Sequence, residues 1–148
     1  MRTLRRYSGF MHVTDSQSLK RILQESHTIA VLGASMTPHR PAFYVPDYLH
    51  AHGYRVLPVN PRYVGETQWG EPFRGTLAEL GEPVDLVDVF RRSELLMPHL
   101  DDLLACRPKV VWLQQGIQSD ELAAALEPEG IDIVQDECTY ALHRRFGL

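Results

Sequence analysis

The sequence predicts a doubly wound α/β domain, a mainly parallel five-stranded sheet with helices on both faces. Three observations predict it. Five short apolar runs, at residues 29–32, 54–59, 84–90, 109–113 and 131–134, alternate with segments of helical periodicity. The runs are rich in Val, Ile and Leu at consecutive positions, as strands covered on two sides must be. Each interval holds a helix that can return the chain for a parallel neighbour.

In chain order, residues 15–26 put Leu19, Ile22 and Leu23 on one helical face, with Thr14 or Asp15 as N-cap. The first strand ends at Gly33 and opens into Ala34, Ser35, Thr37 and Pro38. An apolar strand, a small-residue loop and a following helix make an anion site. Free backbone N–H groups and the positive end of the helix dipole both face the loop. In residues 43–52, Tyr44, Val45, Tyr48, Leu49 and His52 recur at helical spacing. Proline is tolerated in the first turn, so Pro46 sets the helix start near Tyr44, and Gly53 stops it.

The second strand, 54–59, leads into Asn60, Pro61 and Arg62, and the glycine-rich residues 63–75 read as a long loop with room for a short strand. Thr76 caps a single helical turn. After the third strand, 84–90, Ser93 caps a helix carrying Leu96, Leu100, Leu103 and Leu104 on one stripe. The fourth strand, 109–113, ends at Gln114, Gln115 and Gly116. Ser119 or Asp120 begins an Ala/Leu-rich helix that stops before Pro128, and residues 139–146 form a terminal helical turn or two after the fifth strand.

Composition narrows the function classes. A chain of 148 residues, 44% hydrophobic and 23% charged, is sized for one domain with one good core. A formal charge of −4 argues against nucleic acid or an anionic membrane surface as the partner. No apolar run approaches the roughly 18 residues of a membrane span. Residues 1–13 read as a flexible extension ahead of a single domain at 14–148. They carry Arg2, Arg5 and Arg6 but no apolar stretch, so they do not read as a secretory signal, and Met11 is an alternative start. Cys106 and Cys138 lack CxxC spacing, so neither a disulfide framework nor a zinc site follows, and a cytoplasmic location is expected.

In such sheets ligands bind at the carboxyl ends of the strands, where the winding reverses. The relevant loops are 33–40, 60–62, 90–93 and 114–117. The first lacks GxGxxG spacing, and the second strand ends in Asn60 rather than the acid that would hold a ribose 2′-hydroxyl of NAD. A GxxxxGK[ST] loop is also missing. The edge instead offers Arg40, Arg62, Arg91 and Arg92, which on a net-acidic chain suit a ligand with several phosphates. Phe90, or the guanidinium plane of Arg91 or Arg92, could stack on a purine; Phe90 fits a core position at a strand end at least as well. The Ser35 hydroxyl fits either a phosphate contact or a turn.

No catalytic constellation emerges. The seven histidines form no ligand cluster, and His39 is the one placed on the rim, where it reads as solvated. Asp85 and Asp88, three apart in or beside a strand, fall on opposite faces. Asp101 and Asp102 read as a solvated helix face, and Asp136 and Glu137 punctuate the end of the fifth strand. Ser35 has no base at recognisable spacing.

Four segments, TIAVLGAS, HGYRVLPVNPRYVGE, VDLVDVFRRSE and KVVWLQQGI, resemble the CoA-binding-domain proteins. This stand-alone family is similar to the N-terminal domain of the succinyl-CoA synthetase α subunit, and the likeness runs from about residue 28 to 138. It implies a Rossmann-like fold, coenzyme A as cofactor, and CoA or an acyl-CoA as partner. By resemblance, Gly33, Ala34, Ser35 and Arg40 surround the CoA diphosphate, and Asn60, Pro61 and Arg62 lie by the ribose and its 3′-phosphate. Val89, Phe90, Arg91 and Arg92 flank the adenine end, and Gln115 and Gly116 border the pantetheine path. The synthetase's phosphorylated histidine has no counterpart here. Cys138 reads as a small buried side chain rather than a partner for the CoA thiol. The expectation is a CoA-binding protein without catalytic apparatus. The alternatives are an NADP-dependent oxidoreductase, with Arg62 on the 2′-phosphate, and a nucleotide-sensing regulatory domain.

Overall fold

A computed structural model describes residues 12–148. Among the described residues there are five helices: α1 (Ser16–Glu25), α2 (Pro41–Ala51), α3 (Leu100–Cys106), α4 (Asp120–Leu126) and α5 (Thr139–Arg145). The strands are β1 (Thr28–Leu32), β2 (Arg55–Val59), β3 (Thr67–Gln68), β4 (Glu71–Pro72), β5 (Leu86–Val89), β6 (Val110–Leu113) and β7 (Asp132–Val134). β3 and β4 make a small antiparallel hairpin, and the other five form one parallel sheet in the order β2-β1-β5-β6-β7. From β1 the chain winds to β2 on one side, then crosses back to β5 on the other. The carboxyl ends of β1 and β5 therefore flank the switch point.

Period-two burial divides the core. Ile29, Val31, Leu86 and Trp112 face α1, α2 and α5, packing on Leu19, Leu23, Leu49 and Leu142. Ala30, Leu32, Val87, Val111 and Leu113 face the opposite layer with Leu77, Leu80, Leu103, Leu122 and Leu126. The sheet is thus doubly covered, and apart from the buried Asp88 and Asp132 its central positions are apolar because neither face meets water.

Several boundaries differ from the sequence reading, each for a physical reason. Asp15 rather than Thr14 caps α1, its carboxylate accepting from the Ser18 N–H at 3.0 Å. α2 starts at Pro41, not near Tyr44, and carries Pro46 in its interior. Pro46 cannot serve the carbonyl of Ala42, but the Ser35 N–H does so at 3.2 Å, and this removes much of the usual cost of an interior proline. Ser93 does not cap a helix. Residues Ser93–Leu95 and Met97–His99 are 3-10 turns, and α3 begins only at Leu100, after Pro98. The Ser93 hydroxyl instead accepts from the Gln118 N–H at 2.9 Å. Thr76 does open a helical turn, Leu77–Leu80, where Glu79 accepts from the N–H groups of Gly75 and Thr76. Residues 1–11 of the predicted extension lie outside the described residues. His12 bridges to Ile133, and Val13 is buried with its N–H donating to the Ile133 carbonyl at 3.0 Å.

Two carboxylates do structural work at opposite ends of β5. Asp85 stands just before the strand and accepts from the N–H groups of His27 and Thr28 at 2.8 and 3.0 Å, with Lys109 3.4 Å away. Burial opposes its charge, but the Thr28 and His27 donors and Lys109 hold its carboxyl below the ordinary range. Asp88 is fully buried beside Val31 and Trp112. It accepts from Gln114 Nε2 at 2.5 Å and from the Thr139 hydroxyl at 3.1 Å, joining β5, β6 and the start of α5. α5 is fastened again by Tyr48, whose ring stacks on Tyr140 at 4.1 Å and whose hydroxyl meets His143 Nδ1 at 2.8 Å.

Burial pushes the Asp88 carboxyl up to about 7, against its two donors. In the unfolded chain it ionises near the ordinary value of about 4. Folding therefore favours the protonated form, and stability falls as pH rises from about 4 through 7. Asp88→Asn should remove roughly 3 kcal/mol of that slope between pH 5 and 8. Denaturant melts of both proteins at three pH values measure it, and parallel curves would mean that Asp88 ionises normally in the fold.

Candidate functional site

At the carboxyl edge a cavity of about 270 Å³ opens between the ends of β1 and β2 and the first turn of α3. Its floor is Leu32, Gly33 and Val59, and Asn60 and Pro61 form one side. Gly75 and Thr76 close the second side, and Arg91, His99 and Asp102 make the third.

Gly33 is fixed by two constraints. Its φ is 89°, a backbone conformation side chains resist, and an added Cβ would stand 2.8 Å from the Phe90 carbonyl oxygen and 3.4 Å from Arg91 Cδ. The arm of Arg91 thus lies across a residue that has no side chain. Asn60 is the second brace. Its Nδ2 donates to the Ala34 carbonyl at 2.9 Å, its Oδ1 accepts from the Arg62 N–H at 3.0 Å, and its N–H donates to the Arg74 carbonyl at 2.8 Å.

Backbone donors in the first loop differ from expectation. The N–H groups of Gly33 and Ala34 both donate to the Val59 carbonyl, at 2.9 and 3.3 Å, and that of Ser35 serves Ala42. They hold the loop against β2 and α2 rather than facing a ligand. The Ser35 hydroxyl accepts from the Thr37 N–H at 2.9 Å, the turn role. The N–H groups of Met36 and His39, nearer α2, have no partner among the described residues.

Of the thirteen predicted site residues, the cavity brings together Gly33, Asn60, Pro61 and Arg91. Ala34 and Val89 are buried in the core, and Phe90 packs on the opposite face of the sheet, among the residues around α1, α2 and α5. Arg40 is exposed at the N-cap of α2, and Arg62 lies over the Tyr63 ring at 5.7 Å. Arg92 turns outward to Glu94 at 4.0 Å. Gln115 and Gly116 are exposed, the Gly116 N–H bonding to Asp136 Oδ1 at 2.6 Å. The four arginines therefore do not converge on this cavity; Arg91 alone lines it.

The sequence reading missed His99 and Asp102. His99 Nε2 accepts from Arg91 Nε at 3.4 Å, and burial, then Arg91, lower its pKa while Asp102 works the other way. Asp102, expected on a solvated helix face, is half-buried in the wall. Pro98 was the available signal, since it disfavours a helix running on from Ser93 and favours a start of α3 at this edge. The hairpin is tied to α2: Trp69 Nε1 donates to Asp47 Oδ1 at 3.1 Å and its ring lies 5.9 Å from Phe43. Cys138 sits elsewhere, in a shallow groove of about 550 Å³ with Tyr44, Tyr140, Arg144 and Arg145.

A family model described as "CoA binding domain" matches residues 27–144. The chain belongs to the CoA-binding-domain family. Membership ties it to coenzyme A in general terms. It is 35% identical over 125 residues to the uncharacterized protein YneT of Bacillus subtilis, covering 84% of this chain and 91% of that one. A solved structure from Thermus thermophilus is 51% identical with a TM-score of 0.86, covering 89% of this chain and 98% of that chain. A hypothetical protein from Pyrococcus horikoshii is 30% identical with a TM-score of 0.83, covering 95% and 96%. A dinucleotide-forming acetyl-coenzyme A synthetase 1 of Ca. Korarchaeum cryptofilum, 23% identical with a TM-score of 0.64, shares the fold over 78% of this chain and 27% of its own. Among the described residues no helix is long and apolar enough to cross a membrane.

Gly33→Ala tests the junction. Both the backbone conformation and the Phe90 carbonyl oppose it, so a loss of about 2–4 kcal/mol is expected in denaturant melts. Gly53→Ala shares a positive φ, 96°, with nothing within 4 Å, and should lose only about 1 kcal/mol. Equal losses would remove the role assigned to the Phe90 contact.

Proposed function

We propose that this domain holds the nucleotide end of coenzyme A or an acyl-CoA at the carboxyl edge of its sheet and has no catalytic apparatus of its own. The observation that carries the reading is Arg91. Its guanidinium lines a cavity at the switch point of a CoA-family fold, and among the described residues no carboxylate lies within ion-pair distance of it. A cation held this way is completed by an anionic ligand, and a guanidinium fork suits phosphate.

In this reading Arg91 takes an oxygen of the diphosphate, with the ribose beside Asn60 and Pro61. The diphosphate lies toward Met36, His39 and the α2 N-terminus. Arg62, exposed beyond Asn60, reaches the 3′-phosphate. Two nucleophiles are held unreactive by their surroundings. The Ser35 hydroxyl is engaged in a turn, and burial pushes the Cys106 thiol up to about 11, where it stays protonated.

Calorimetry at fixed salt tests this. CoA should bind at least about tenfold more tightly than ADP or NADP. Arg91→Met should cost about 1.5–3 kcal/mol, the range for hydrogen bonds to charged groups, while Arg92→Met should stay within about twofold. Equal binding of CoA and ADP, or equal losses at the two arginines, would overturn the reading. Separately, Arg62→Ala should weaken CoA more than dephospho-CoA; the same loss for both ligands would remove the 3′-phosphate contact.

A further inference from the structure

The contact between Arg91 and His99 gives the cavity a part that neither the sequence pattern nor family membership assigns. Arg91 is held from two sides: its Cδ lies over Gly33, and its Nε donates to His99 Nε2. That bond needs a bare lone pair on Nε2, so the neutral ring carries its proton on Nδ1. With Nε engaged, the two terminal nitrogens of the guanidinium are the ones left for a ligand. His99 can do this because it stands at the N-cap of α3, where the turn ending at Pro98 and His99 brings it to the carboxyl edge.

We propose that His99 positions Arg91 in the free protein and is the proton-accepting group of the site, so that an anionic adenylate ligand binds together with a proton that goes to Nε2 and releases the bond from Arg91 Nε. The inference rests on the CoA reading above. The charged groups around the imidazole are few. Arg91 comes from the β5 loop, where Arg92 is turned out to Glu94. Asp102 comes from α3. Glu79, on the turn packed against α3, is occupied by the N–H groups of Gly75 and Thr76. In the free protein burial, and then Arg91, hold the ring pKa below its ordinary value and so favour the neutral form. A phosphate on Arg91 offsets that cation, so the imidazolium is less disfavoured, and its new Nε2–H donates to the phosphate where it had accepted from Arg91. Its pKa is then higher in the complex than in the free protein. Binding takes up a proton between the two values, and affinity rises as pH falls through that window.

Dephospho-CoA is the probe, because the 3′-phosphate of CoA itself titrates near pH 6. Calorimetry at pH 6.5 in two buffers of different ionisation enthalpy should show fractional proton uptake, and Kd should fall about 3–10-fold from pH 7.5 to 5.5, a shift of up to one unit. The His99 ring signal, identified by its loss in the His99→Gln spectrum, should move to a higher pKa on saturation. His99→Gln keeps an acceptor for Arg91 but cannot titrate. It should bind within about twofold of wild type at pH 7.5 and, with His39→Gln in both proteins, show a flat pH profile, whereas His99→Ala should bind about fivefold more weakly. Binding without proton uptake, or a pH profile that survives His99→Gln, would overturn this inference and leave the CoA reading intact. Failure of dephospho-CoA and CoA to bind at any pH would remove both.

Discussion

The carboxyl edge depends on how closely β1 and β5 approach where β1 ends. Gly33 turns there with its own N–H and that of Ala34 on the Val59 carbonyl, while the Phe90 carbonyl stands where a side chain would begin. One residue thus sets the separation of three strands at the switch point. The cavity floor of Leu32, Gly33 and Val59 is the upper surface of that junction, and Arg91 crosses it because nothing projects from Gly33. A bulkier residue would have to displace backbone, and packed interiors yield to that only at a cost.

Around this junction, polar groups are divided between holding the frame and leaving part of it open. Asn60 spends both ends of its amide and its N–H on the first loop, its own turn and the returning Arg74 segment. Asp85 gathers the starts of β1, β5 and β6, and Asp88 gathers the ends of β5 and β6 with α5. The two carboxylates sit three residues apart but have opposite titration behaviour. Asp85 has backbone donors and a nearby ammonium, whereas Asp88 has only neutral donors in a dry core. Arg91 differs from all of these in meeting an imidazole rather than a carboxylate, and among the described residues it has no ion-pair partner in a cavity wall it shares with His99 and Asp102.

Much of the fold was legible in residue order. Consecutive apolar positions marked the five sheet strands to within a residue or two, because a strand covered on both faces leaves that trace whatever its neighbours are. Ends that depend on a distant partner were not legible. Pro46 looked like a helix start because the sequence does not reveal that the Ser35 N–H would serve the Ala42 carbonyl. The Leu96, Leu100 and Leu103 stripe extended a helix back through Pro98, hiding the 3-10 turns that carry His99 to the cavity. Arginine count suggested a cluster on the rim, yet Arg62 rests on a neighbouring ring and Arg92 on a neighbouring acid.

By itself the sequence determined the alternation of strand and helix, the parallel sheet this demands, and the loops that gather at one edge. Those are consequences of local periodicity and of the need to return a chain between parallel neighbours. Tertiary structure alone decided which side chains in those loops meet. Orientation at a strand end is set by hydrogen bonds and steric contacts to residues far away in the chain, as Asn60 is by Ala34 and Arg91 is by Gly33. Four of the predicted residues came together, and six unpredicted ones, His99 and Asp102 among them, joined them, because only the folded chain fixes those directions.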